Sequence, residues 1–336
     1  MNINWNVTAA CNLRCEHCYY PSHTRDEELE PDEAKELLQS IRSFFGKSAG
    51  ITLGGGEPLM REDIFEIIQY GSDLGLKMMM GTNGTLITPT VAVKLRDAGL
   101  KEVIISIDGM EAVHDSIRGK GTFKRSLNGA KASRDAGLSL VIDPCLMREN
   151  VGELPAILDL CENLGARQCR VFHFVEMGRG KIDRAGSALD LFSYAKNLQD
   201  LHDEQVKRPD LEICTTQGCQ YWVVLKRAAE RGDQVPDFYY NEAPGCRAGI
   251  ELLSIKPDGD VVPCPLLPVK IGNVRDQTLK DIMNSGVIES LRSRNVKGRC
   301  ARCAHRDLCG GCRVRAYLAS GDYLGEDPLC GEVFMQ

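Results

Sequence analysis

The chain has 336 residues, 43% hydrophobic and 26% charged, with a formal charge of −6. That length suits one large domain plus a smaller one, and the negative balance argues against a nucleic-acid binder. No apolar run approaches the ~18 residues of a membrane helix, and the N-terminus MNINWNVTAACN lacks signal-peptide features, so a cytoplasmic protein with no membrane partner is expected.

From the start, β-branched runs alternate with helical patterns. Strands are predicted over 3–8, 50–53, 76–81, 102–107, 138–145 and 168–175, with amphipathic helices over 32–45, 62–74 and 88–98. The starts at Gly50, Leu76 and Glu102 are spaced by 26 residues, the length of one βα unit with short loops. Six such units predict an α/β fold, a partial (β/α)6 TIM-type barrel, with a flat doubly wound sheet as the alternative. The unusual loops CNLRC, GGGEP, GTNG and IDG all follow strands, at the rim where parallel α/β folds build active sites. After 175 the alternation lapses. A helix is predicted over 188–206, no element is assigned over 209–244, and a cysteine-dense tail follows. The tail reads as a small domain in which metal replaces the core it cannot build. The expected division is a barrel over 1–210, a bridging segment over 211–245 and the metal domain over 246–336.

Fifteen cysteines in a reducing compartment point to metal, and an odd count suits a disulfide framework poorly. Cys11, Cys15 and Cys18 form C-x3-C-x2-C. Structural zinc wants four closed ligands, and His17 lies between two thiols and would have to turn back on itself. A 4Fe–4S cluster needs one thiolate per iron, so three thiolates leave one iron open to a small molecule. Such an array suits a reactive cluster better than a non-catalytic electron carrier or redox sensor, the alternative of another class. In the tail, KPDGD reads as a turn between two short strands, and seven thiols follow the pattern Cys246, Cys264, Cys300, Cys303, Cys309, Cys312, Cys330. Zinc ribbons are the alternative there, using Cys300, Cys303, Cys309 and Cys312 as two C-x2-C pairs. Cys145, Cys161 and Cys169 sit in strand or helix patterns and are expected as buried apolar residues.

C-x3-C-x2-C just after a first strand resembles the radical S-adenosylmethionine (SAM) superfamily. The resemblance implies that Cys11, Cys15 and Cys18 hold a 4Fe–4S cluster whose open iron chelates SAM. SAM is then cleaved to a 5′-deoxyadenosyl radical that abstracts hydrogen from substrate. It implies also that Gly55, Gly56 and Glu57 form the motif that meets the methionyl amine. Asn83 is the candidate for the ribose, and Ser106, Asp108 and Arg118 lie where the family contacts ribose and methionyl carboxylate; a guanidinium opposite a carboxylate makes a good bidentate pair. The three glycines Gly54, Gly55 and Gly56 are expected to let backbone approach a ligand.

The tail resembles the SPASM domain, in which Cys246, Gly259 and Cys264 match C-x9–15-G-x4-C. The resemblance implies one or two auxiliary 4Fe–4S clusters: Cys300, Cys303, Cys309 and Cys330 on one, and Cys246, Cys264 and Cys312 on the other. The second lacks a fourth cysteine. It is either open at one iron, completed by another residue such as Cys214 or Cys219, or not formed. The stretches FHFVEMGRGKI and GGCRVRAYLASGDYLGEDPLC look most like radical SAM enzymes that remove side-chain carbon from tetrapyrroles in haem biosynthesis. Here Glu176 and Met177 stand where those enzymes usually have proline and threonine. Similar tails occur in maturases of ribosomally made peptides, although many of those carry an N-terminal peptide-binding domain, and ten residues precede Cys11. Arg179, Lys181 and Arg184 are expected as a cationic wall for substrate carboxylates. The expected partners are a tetrapyrrole or peptide substrate and an electron donor such as ferredoxin or flavodoxin.

Overall fold

The structure, a computed structural model, describes residues 1–20, 28–331 and 334. Within them one sheet contains β1 (Asn2–Thr8), β2 (Gly50–Gly55), β3 (Lys77–Thr82), β4 (Glu102–Ile105), β5 (Ser139–Ile142), β6 (Cys145–Leu146), β7 (Gln168–His173), β8 (Glu212–Thr216), β9 (Leu252–Ile255), β10 (Asp260–Val262) and β11 (Gly272–Asn273). β1 to β5 pair in parallel in chain order, β7 follows β5, and β8 runs parallel to β7 on its far side. β6 resumes along the β5 side of β7 after a break at Asp143 and Pro144. The sheet is mixed and does not close: its other edge carries β9 parallel to β1, then β10 and β11 antiparallel.

The local reasons are those of parallel α/β chains. β4 is buried at all four residues, as expected of a strand covered on both faces. The helix Pro31–Phe45 begins with proline in its first turn and a reciprocal pair of hydrogen bonds between Glu30 and Glu33. It buries Ala34, Leu37, Leu38 and Ile41, one stripe at helical spacing. Each fully buried leucine or isoleucine there stabilises the fold by about 1.5–3 kcal/mol.

Three elements differ from expectation. The helix expected from 62 starts at Ile64, because Pro58–Met60 forms a separate 3-10 turn. The strand expected over 138–145 is cut by Asp143 and Pro144, since proline has no N–H to give to a ladder. And the unassigned region contains β8, so the parallel run continues through Thr216.

The cysteine-rich tail shares the sheet. Its hairpin, β9 and β10, lies against β1 in register from Asn2 opposite Leu252 to Trp5 opposite Ile255. Arg275 adds a clamp, donating to Glu33 at 2.7 and 2.9 Å on the first long helix. The tail is thereby held at the same rim as the loops after β1 to β4. Among the described residues no helix is long and apolar enough to cross a membrane.

Candidate active site

The cysteine loop is built by backbone contacts that leave its sulfurs available. After β1, the Gly56 N–H donates to Thr8 O at 2.9 Å and the Glu57 N–H to Ala10 O at 2.8 Å, so the glycine loop lies flat on the loop that leads to Cys11. A Cβ on Gly56 would stand 2.1 Å from Ala10 O, and one on Gly55, whose φ is +113°, 2.3 Å from Thr8 O. These two glycines are therefore required by loop-on-loop packing, and both also line the cavity toward which the sequence had pointed for ligand approach. From the far side, the Arg179 N–H donates to Cys18 O at 2.9 Å and its Nε to Cys15 O at 3.1 Å. Gly178 approaches so closely that a Cβ would meet Tyr19 O at 2.3 Å.

Cys11, Cys15 and Cys18 all line one cavity of about 270 Å³ at the strand ends. Burial pushes the Cys15 thiol up to about 11, with Arg118 pulling it down, and Cys11 is raised by burial as well. Such thiols stay protonated until a metal takes the sulfur, which is the chemistry of a ligand set. Among the described residues no three His, Cys, Asp or Glu side chains converge as they would around a single ion. Thiols that surround a multi-iron cluster sit at separate corners and need not converge.

The SAM-side candidates divide into cavity-facing and supporting groups. Gly55, Gly56, Asn83, Ser106 and Arg118 line the cavity. Glu57 is fully buried and its carboxylate accepts from Thr82 Oγ1 at 2.7 Å, the Asn83 N–H at 2.9 Å and the Leu59 N–H at 3.3 Å. Burial pushes its pKa up, and those three donors oppose the shift. Glu57 thus ties the glycine loop to the end of β3. Asn83 in turn donates from Nδ2 to Asn12 Oδ1 at 2.8 Å, and its Oδ1 accepts from Thr85.

Asp108 is also fully buried. Burial alone would raise its pKa, but Arg118 and His17 hold it well below the usual carboxylate range. It accepts from Arg118 Nε at 2.5 Å and Nη2 at 3.2 Å, and from the Cys145 N–H at 2.9 Å. His17, between two of the thiols, lies 3.2 Å from the same carboxylate and lines the cavity. Asp108 is therefore the anchor of Arg118, which presents its remaining surface to the cavity.

The opposite wall comes from β5 to β8 and the tail: Asp143, Cys145, His173, Gln217 and, just after Cys264, Pro265 and Leu266. Cys145 was expected in the core with Cys161 and Cys169; those two are fully buried, whereas Cys145 faces the cavity because the break at Pro144 turns the chain. Asp143 was missed by sequence reasoning; its only signal was a carboxylate at a strand end before proline. Among the described residues its Oδ1, the Oε1 of Gln217, His173 Nδ1 and His17 Nδ1 are buried without a partner. Four such polar atoms around one cavity fit an enclosed polar ligand. The expected cationic wall is not there. Arg179 faces the cavity while bound to the cysteine loop, Arg184 pairs with Glu16 at 2.8 Å, and Lys181 is exposed. Glu176 accepts from the Gly186 N–H at 2.8 Å and so shapes the same loop.

Burial pushes Asp143 up to about 7, against the pull of Arg170 and Arg118. Its neutral form is the one the fold favours, so stability is lost as pH rises from the unfolded value near 4 through about 7. Asp143→Asn should therefore raise stability at pH 8 by roughly 2–4 kcal/mol and leave it nearly unchanged at pH 4. Thermal unfolding of both proteins across that range checks it; parallel curves would mean that Asp143 titrates normally.

Residues 5–161 match the family model described as the radical SAM superfamily, and residues 246–304 match the iron–sulfur cluster-binding SPASM domain. The chain is 37% identical to the AdoMet-dependent heme synthase of Methanosarcina barkeri, over 98% of this chain and 95% of that one. It is 31% identical to the mycofactocin maturase MftC of Mycolicibacterium smegmatis, over 98% and 82%. In fold it resembles Streptococcus suis SuiB, crystallised with the precursor peptide SuiA, with a TM-score of 0.77 at 18% identity, over 100% of this chain and 76% of that one.

Proposed function

Because the chain belongs to the radical SAM superfamily and carries an iron–sulfur tail domain, we propose that it is a tetrapyrrole-modifying enzyme that decarboxylates a side chain in haem-type cofactor biosynthesis. The observation that carries this reading is the full-length likeness to a heme synthase at 37% identity, against 31% for the maturase. Held there, a reduced cluster and SAM would supply hydrogen abstraction from the substrate, with SAM as the net oxidant of the decarboxylation. We assign the three cluster thiolates to Cys11, Cys15 and Cys18. The backbone at Gly55 and Gly56 receives the SAM amine, Asn83 and Ser106 its ribose side, and Arg118, oriented by Asp108, its carboxylate. The wall with Asp143, His173 and Gln217 holds the substrate and excludes water. An external ferredoxin or flavodoxin is the proposed electron source.

The test is anaerobic incubation of the reduced, cluster-replete protein with SAM and iron-coproporphyrin III. Expected are a shift in the porphyrin absorption on binding, loss of carbon dioxide by mass spectrometry, and 5′-deoxyadenosine in step with it. SAM cleavage without porphyrin binding or mass loss, with didecarboxysirohaem equally inert, would overturn the tetrapyrrole assignment in favour of a peptide substrate.

A further inference from the structure

Cys246, Cys264 and Cys312 leave a cluster one thiolate short. In the structure Cys219 is buried beside Cys312, with Cys246 packed against the same cluster, close enough for the three thiols to influence one another. Cys264 lies within electrostatic reach of the same two, and Cys219, Cys264 and Cys312 are buried in one cluster against which Cys246 packs. Cys309 is buried in the same cluster and its carbonyl accepts the Cys246 N–H at 3.0 Å, while its thiol feels Cys300 and Cys330, and Cys330 feels Cys300 and Cys303, which relates those four to one another. Cys214, the other candidate, sits within β8 opposite Arg170 of β7 and so belongs to the barrel.

Local structure delivers Cys219 to this place. β8 ends at Thr216, and Gln217 follows with φ +61°, a left-handed conformation uncommon outside glycine. The chain turns so tightly at Gly218 that a Cβ there would meet Thr215 Oγ1 at 2.2 Å. The turn is held from the tail. Gln217 O accepts from Arg315, and Gln220 accepts from Tyr194 OH at 2.6 Å and donates to Asp327 at 3.0 Å. Asp327 also accepts the Cys312 N–H at 2.7 Å. One buried carboxylate therefore sets the positions of Cys219 and Cys312 together.

We infer that Cys219 is the fourth ligand of an auxiliary 4Fe–4S cluster held by Cys246, Cys264 and Cys312, an inference that rests on the iron–sulfur reading of the tail. Each thiol binds its iron as thiolate and releases its proton to solvent. With all four irons ligated by protein, this cluster has no open corner for substrate. It adjoins the cavity through Pro265 and Leu266 next to Cys264, a place suited to passing electrons to or from the reacting centre.

The test uses the full chain with Cys11, Cys15 and Cys18 all replaced by alanine, so that only tail clusters remain. Anaerobic reconstitution should give about eight iron atoms per chain, two clusters. Adding Cys219→Ser should lower this by about one to four and change the Mössbauer and reduced electron-paramagnetic spectra of one cluster only. Cys214→Ala should change neither, and far-UV circular dichroism should be the same for all three. Full iron and unchanged spectra in Cys219→Ser would overturn the inference. A parent protein that takes up no iron would overturn the iron–sulfur reading of the tail and the inference with it.

Discussion

Cys15→Ala is expected to abolish 5′-deoxyadenosine formation, a loss of more than ~1,000-fold, because the cofactor carries an acceleration that side chains cannot replace. The protein should remain folded. The bonds that shape the loop use backbone: Cys18 N–H to Cys15 O at 3.3 Å, Glu16 N–H to Ile117 O at 3.0 Å, and Arg179 Nε to Cys15 O at 3.1 Å. None needs the sulfur. Removing one small buried side chain should cost about 1 kcal/mol, well within the stability of a domain this size. Iron should fall by about four atoms per chain, the content of one cluster, while the tail keeps its own. The measurements are chromatography of nucleoside after strong reduction, iron content, and unfolding midpoint. Turnover that survives in Cys15→Ala would sink the assignment of this loop as the catalytic centre.

Strand starts at 50 and 102 were legible because each βα unit has nearly the same length and a β-branched run to mark it. β8 was hidden for the opposite reason: Glu212–Thr216 is five residues long, and the stretch around it has no strong periodicity. β9 could be read as a strand but its neighbour could not, since it pairs with β1 some 250 residues earlier. At the site, the cysteine spacing and the glycine loop survive as local signals. What a charge faces does not. Arg118 was read as a ligand contact; it does line the cavity, but its anchor Asp108, which takes two of its five N–H donors, was not legible as such. Arg184 likewise answers Glu16 across 168 positions of sequence. Cys219 had no motif at all; the only hint was a cluster one thiol short.

Asp327→Ala is expected to destabilise the protein by about 3–5 kcal/mol, the cost of stranding a buried guanidinium. Asp327 is fully buried and accepts from Arg315 Nε at 2.8 Å and Nη2 at 2.6 Å, from the Cys312 N–H, from Gln220, and from the Leu329 N–H at 3.1 Å. Burial would raise its pKa, but Arg315 and these hydrogen bonds hold it below the usual range. Its contribution is therefore present above the ordinary carboxylate pKa and is lost as pH falls through the lowered one. Asp327→Asn keeps the shape without the charge and should also fall short of wild type. Arg315→Ala in the same chain as Asp327→Ala should recover part of the loss, since the stranded charge is gone; the two effects should combine to less than their sum. The Cys312 N–H and the turn before Cys219 remain unanchored in that double variant. Its tail iron should accordingly stay low even as its unfolding midpoint recovers, and a return of both together would mean that Asp327 serves only to neutralise Arg315.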